Sequence, residues 1–486
     1  MTPVDYTVLG VYLFLVVWIG GRYGSGQKSL KEFFLGSRTI PWWAAACSGI
    51  ATMVSAIGYL GAPGQAFASD WTYLQARFAW PIAILITCVL FIPFFYKLEV
   101  FTAYEYLEKR FDLKTRLLAA VIFIVLKCFY TAVAIYAPAL VVAEMTGLPF
   151  GWICLGIGVL TTVYTTHGGM RAVIWTDAIQ FGVLLGGLVV AYYAIVGRVE
   201  GGFSEIVSVG GSEGKFRFLD WSTSFDTEFT VWGGLIGGTF FLLSQYAVDQ
   251  AELQRFLTTS SVRNSRRALV STMVFTSLYG VMVFFIGTAL YVFHLQHPEL
   301  GGAQMNSDRV FPRFIVEFLP TGIRGLLIAG VFAASMSTVS SILNSLATVT
   351  VRDFYEPLTR GKGTVNLARL ATVLFGCAAT GLSVYAESFG TILVAQGKIR
   401  NFFGGSLVGV FLLGMIFPRV NGNGAFLSMV ASFAATAALS ALTDVSWLWY
   451  SAFATVVSFA AGLGYSYVTE RPTDAHLDGL TWQRRR

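Results

Sequence analysis

Thirteen apolar stretches follow one another along the chain, at about 5–21, 41–66, 72–96, 116–144, 149–165, 172–196, 230–248, 268–293, 322–350, 365–386, 389–417, 424–442 and 446–468. At 1.5 Å per residue, a helix of about 20 residues crosses the ~30 Å hydrocarbon core of a bilayer, so these segments read as membrane crossings. Lipid offers no partner to a bare N–H or C=O, which leaves helices as the form for spans of this length. Only 12% of residues are charged, against about 25% in soluble domains. No polar stretch is long enough for a separate soluble domain. The expectation is one all-α polytopic membrane domain over 1–486, with segments numbered 0 to 12.

The loops set the orientation. With the N-terminus outside, loops on the inner side and the tail carry 23 Lys and Arg, and the outer loops carry 5. That bias predicts an external N-terminus and a cytoplasmic C-terminus. It also accounts for the net charge of +6 without nucleic acid. The tail ends Arg484-Arg485-Arg486, suited to an anionic lipid surface. Two outer loops are long. The second ends in Arg309 to Phe318, whose pattern predicts a short amphipathic helix at the membrane surface.

Segment 8 carries the least ordinary pattern, Ala333-Ala334-Ser335-Met336-Ser337-Thr338-Val339-Ser340-Ser341. On a helix Ala334, Ser337, Thr338 and Ser341 share one face, rich in hydroxyls and free of ionisable groups. Such a face suits helix packing. It also suits a monovalent cation that sheds water, provided a broken neighbouring helix adds carbonyls. Segment 1 supplies that partner: Ile50 to Gly58 leads to Gly61-Ala62-Pro63-Gly64, a run prone to unwinding. Segment 6 has Gly233-Gly234 and Gly237-Gly238 five helices later. Interrupted helices at corresponding positions predict two inverted repeats, 41–196 and 230–417, around a midplane site.

Charges inside the apolar segments are costly and so point to the bundle interior. Asp177 in segment 5 is a natural cation partner, or else an interfacial carboxylate. Arg77 in segment 2 offers a rigid fork to a carboxylate. Lys127 is expected to snorkel to an interface, and Lys398 and Arg400 lie in the outer half of segment 10. Enzyme signatures are absent. Gly24 to Ser29 only superficially suggests a phosphate loop, and the four histidines lack ligand spacing. The five cysteines lie singly in apolar segments, which predicts neither a disulfide nor a metal site.

Four runs together resemble the sodium:solute symporter family: Ala334 to Thr338 continuing to Leu343-Asn344-Ser345, Trp175 to Gln180, Asp249 to Arg255, and Phe403 to Met415. The match is nearest to its organic-anion branch, which includes bacterial sialic acid symporters and monocarboxylate and vitamin carriers. Thr102 to Phe111 and Ser69-Asp70-Trp71-Thr72 suggest that placement. The resemblance implies a LeuT-type five-plus-five inverted-repeat bundle of about 13 helices. It implies a first sodium site from the carbonyls of Ala51, Val54 and Ala334 and the hydroxyls of Ser337 and Thr338. A second sodium site would use Asp177, Ser337, Ser340 and Ser341. The solute would meet Ser55, Arg77 and Gln245. Two departures stand out: Tyr130 occupies the place of an arginine in the sialic acid carriers, and Ser406 stands where many members have proline.

The function expected is secondary active import of a small carboxylate-bearing solute, driven by one or two sodium ions through alternating access. A neutral sugar or polyol symporter is the rival within transport, and a non-transporting membrane sensor the rival outside it. The membrane potential contributes roughly 2.3 kcal/mol per net charge per 100 mV. The absence of Asn-x-Ser/Thr sequons in the outer loops suits a bacterial inner membrane.

Overall fold

A computed structural model describes residues 1–24, 29–300, 307–385, 392–473 and 475–482, and of 392–399 the backbone alone. The Lys398 side chain, most of the Gly24 to Ser29 run and the Arg484–Arg486 tail lie outside that description. Among the described residues, nine helices are long and apolar enough to cross a membrane. A tenth crossing is a pair, Trp42–Met53 and Gly58–Ala68, bent by 54°. The helix Phe150–Val196 counts twice. Its 47 residues would reach about 70 Å, more than two hydrocarbon cores. It turns back at Gly169, where φ is +52°. Tyr164 and Gln180 therefore approach one another and Tyr12, whereas an unbroken helix would hold them about 24 Å apart. With the shorter runs Gly233–Tyr246 and Ile392–Ile416, all thirteen segments are helical.

Local sequence sets the helix ends. Side chains of Asp112, Ser261, Thr364 and Asn421 accept from backbone N–H groups in the first turns of segments 3, 7, 9 and 11. At the far end of segment 3, Gly147 takes the left-handed conformation that closes a helix.

Segment 8, Ile323–Val349, is the axis of the bundle. Its apolar span is 94% buried, whereas segments 0, 9 and 11 bury 22–28% of theirs. Small residues let neighbours come close, which is how membrane helices gain packing energy without a hydrophobic drive. Segment 0, Pro3–Gly24, is tied to this axis by Asp5. Its Oδ1 accepts from Gly322 N at 2.8 Å and Gly325 N at 3.1 Å, capping the start of segment 8.

Three expectations need correction. Segment 6 does not unwind at its glycines, which form a wide turn, Gly233–Gly237, running straight into the next helix. Gly234 instead admits a neighbouring backbone: a Cβ there would lie 2.2 Å from Gln75 O. In segment 1 the break falls at Val54-Ser55, and Gly61 to Gly64 stay helical with Pro63 inside. The amphipathic helix Ser307–Phe318 forms, yet its apolar face (Val310, Phe311, Phe314, Ile315) is buried in the bundle core.

Candidate ion and solute sites

The break in segment 1 is made by two residues. Val54 leaves the helix at ψ +54°, Ser55 is extended, and the Ser55 side chain caps the next half-helix through Gly58 N. Carbonyls in the last turn of a helix lack intrahelical donors, so the end of Trp42–Met53 presents free oxygens. Segment 8 meets it there. Thr338 Oγ1 donates to Thr52 O at 3.3 Å, and Thr52 Oγ1 lies 3.2 Å from both Ser337 Oγ and Ser341 Oγ. Ala51, Val54, Ala334, Ser337 and Thr338 are all buried around this junction. Oxygen atoms on two facing helices, shielded from water and lipid, make an arrangement a dehydrated sodium ion can use.

One turn farther along segment 8, Asp177 Oδ2 accepts from Ser48 Oγ at 2.5 Å and from Ser341 Oγ at 3.4 Å. Both residues of the Asp177–Ser341 pair are fully enclosed. Ser340 is also buried, its hydroxyl donating to Ser337 O at 3.1 Å. The sequence reading missed a cation here. Arg255, with no exposed surface, donates to Ser48 Oγ, Thr52 Oγ1 and Ser341 Oγ at 2.7 Å each and to Glu252 Oε2 at 2.8 Å. Its Nη2 lies 3.8 Å from Asp177 Oδ2. The Asp249 to Arg255 run carries part of the family resemblance, and its local pattern alone assigns Arg255 no role. Ser48, Thr52 and Ser55 follow i, i+4, i+7, so the spacing test applied to segment 8 would have found them on segment 1.

The three residues expected to meet the solute line one cavity. Ser55, Arg77 and Gln245 line it together with Tyr73, Trp80, Tyr130 and Arg400, and it encloses about 140 Å³. Arg77 Nη1 donates to Thr276 O at 2.7 Å and the guanidinium lies 5.8 Å from the Trp80 ring centre. No carboxylate pairs with it among the described residues. Gly280 makes room: a Cβ there would lie 2.0 Å from Arg77 Nη1. Gln245 Nε2 contacts Met53 Sδ at the end of the broken helix. Arg400 stacks over Tyr130 at 4.9 Å. Lys127 departs from expectation: it does not snorkel, but pairs with Asp249 Oδ2 at 2.5 Å, and both are buried. Ser406 leaves no gap in segment 10, which is helical from Ile392 to Ile416.

The chain is similar to proteins with these elements. It is 32% identical to the sodium/sialic acid symporter NanT of Aliivibrio fischeri over 467 residues, 94% of this chain and 92% of that one. It is 33% identical to human sodium-coupled monocarboxylate transporter 1 over 442 residues, 88% of this chain and 72% of that one. The solved structure of a sodium-coupled sialic acid symporter, substrate-bound and outward-open, superposes with a TM-score of 0.89 at 30% identity, covering 97% of this chain and 99% of that chain. Mhp1, a nucleobase-cation-symport-1 family transporter, shares the fold at a TM-score of 0.61 and 14% identity, covering 91% and 96%. The fold is the LeuT-type helical bundle. The model of the sodium:solute symporter family matches residues 33–432. The chain belongs to the sodium:solute symporter family, as a sodium-coupled membrane transporter and not an enzyme.

Proposed function

We propose that this transporter imports a small organic anion whose carboxylate is read by Arg77. The observation that carries this is the Arg77 guanidinium, half-buried at the cavity wall and without a carboxylate partner among the described residues. A buried charge is expensive unless paired, and a solute carboxylate bound to this fork completes the pair. Arg400 over Tyr130 adds a second positive group and takes over the region where the sialic acid carriers place an arginine. Ser55 and Gln245 supply neutral donors beside the break in segment 1.

Cavity size favours a compact solute. An apolar cavity of about 150 Å³ holds a benzene-sized molecule, and 140 Å³ here is comparable. That supports a monocarboxylate over a sialic acid, which is several times larger.

Coupling follows from the junction of segments 1 and 8. A first sodium ion takes the carbonyls of Ala51, Val54 and Ala334 and the hydroxyls of Ser337 and Thr338. A second takes Asp177 with Ser337, Ser340 and Ser341. The first holds the broken helix that also presents Ser55 to the solute, so each ligand strengthens the other by the same factor. Residues 41–196 and 230–417 serve as the two repeats that rock about this site, in a bacterial inner membrane with the N-terminus outside and the C-terminus in the cytoplasm.

The test is uptake into proteoliposomes of a labelled panel of short monocarboxylates, sialic acid and a neutral sugar, with and without an inward sodium gradient. Sodium-driven monocarboxylate uptake lost in Arg77→Ala supports the reading. Sodium-driven sugar uptake that survives Arg77→Ala removes the anion assignment and leaves sodium coupling standing.

A further inference from the structure

Asp177 presents its two carboxylate oxygens to different surroundings. Oδ2 is engaged by Ser48, Ser341 and, at 3.8 Å, Arg255. Oδ1 is buried and has no hydrogen-bond partner among the described residues, and neither amide atom of Gln180 has one. Asp177 and Gln180 are three residues apart and share a helix face. Buried polar atoms in native proteins are normally partnered by protein, water or an ion. The Oδ1 edge is thus the side left for a cation, beside the Gln180 amide and the Tyr12 and Tyr164 hydroxyls that approach it.

Arg255 holds the other side. From the helix Gln250–Leu257 it reaches Ser48 and Thr52 on the inner half of segment 1 and Ser341 on segment 8. One guanidinium therefore pins three elements together between the ion site and the cytoplasm. The carboxylates facing it are Glu252, at 2.8 Å, and Asp177. Asp249, the next acid along the chain, is committed to Lys127.

We infer that sodium at the second site and the Arg255 guanidinium compete for Asp177, so that ion binding loosens the arginine that pins segment 1 to segment 8. This rests on the assignment of Asp177 to the second sodium site. One carboxylate carries one negative charge. A sodium ion on Oδ1 weakens its hold on the guanidinium and repels it, and burial leaves that repulsion poorly screened. The coupling is reciprocal: whatever weakens the grip of Arg255 on Asp177 raises sodium affinity. Arg255 is a positioning residue that makes the inner closure sensitive to ion occupancy. The same geometry gives Glu252 an opposing role, since it draws the guanidinium away from Asp177.

The experiment measures the sodium concentration for half-maximal uptake by the full-length transporter in proteoliposomes. In Arg255→Gln that concentration falls about tenfold. In Glu252→Gln, which leaves the guanidinium with Asp177 alone, it rises about tenfold. Damage to the fold weakens sodium binding in both, so the opposite signs are the signature. Arg255→Lys keeps the charge and returns the value toward the parent, and it serves as the test if Arg255→Gln fails to fold. Values for Arg255→Gln at or above the parent, or an Arg255→Lys variant more than tenfold above it, overturn the competition. Asp177→Asn separates the two levels. Unchanged sodium dependence there removes the second-site assignment itself. Altered sodium dependence there, with the Arg255 and Glu252 variants like the parent, removes the competition alone.

Discussion

The ion junction and the solute cavity lie at the same break in segment 1, yet they balance charge in opposite ways. Around the junction the buried cations have acids: Arg255 has Glu252 and Asp177, and Asp249, which caps the helix carrying Arg255, takes Lys127. What remains there is oxygen, from hydroxyls and helix-end carbonyls, and oxygen attracts a cation. In the cavity, Arg77 has a backbone carbonyl, an aromatic face and no acid among the described residues. What remains there is a positive fork, which attracts an anion. The sign of the unmet charge distinguishes the two sites more clearly than their residue composition does.

The largest effect should come from upsetting the balanced side. Lys127→Met leaves the buried Asp249 carboxylate its cap to Ala251 N but takes away the ammonium that pairs with it, an imbalance worth about 3–5 kcal/mol. The expected outcome is loss of folded protein or a large fall in thermal midpoint in detergent. Lys127→Met with Asp249→Leu removes both charges and should recover most of that fall. A double variant no more stable than the single one would break the charge-balance account.

Removing the unmet fork comes next. Arg77→Ala should cost about 3 kcal/mol of anion binding, or about 100-fold in KM, by analogy with truncating one partner of a buried charge pair. Because Arg77 has no protein acid to strand, the thermal midpoint should stay near the parent. A large stability loss instead would mean that Arg77 is a structural residue.

The oxygen cage is probed by Ser337→Ala, which removes one neutral ligand. The expected result is about a tenfold rise in the sodium concentration for half-maximal uptake, with solute KM at saturating sodium little changed. Equal damage to both would merge the two sites into one.

The mildest change sharpens the cavity side. Gly280→Ala places a methyl group where the Arg77 fork now sits. The far end of a long side chain can move, so a few-fold rise in KM at unchanged stability is expected, larger for the smallest carboxylates.

Much of this arrangement was legible in the chain. Apolar length alone determined the thirteen crossings, because a bilayer admits few forms of backbone. Helical spacing put Ala334, Ser337, Thr338 and Ser341 on one face, and that face does meet segment 1. Arg77 stood out because a guanidinium inside an apolar segment needs a partner. The same reasoning failed where one side chain is completed by a distant element. Lys127 read as a snorkelling residue because its acid, Asp249, is over a hundred positions away. Glycines in segment 6 read as a break, since a sequence cannot distinguish a glycine that unwinds a helix from one that admits Gln75 O.

Local rules therefore determined the segments, their caps and the hydroxyl stripe, all of which depend on residues within a turn or two of each other. Tertiary structure alone decided which charges neutralise one another. Arg255, Asp177, Ser48 and Ser341 come from four separate parts of the chain. Their pairing is a matter of a few ångströms in a medium that screens charge weakly, and only the folded bundle specifies those distances.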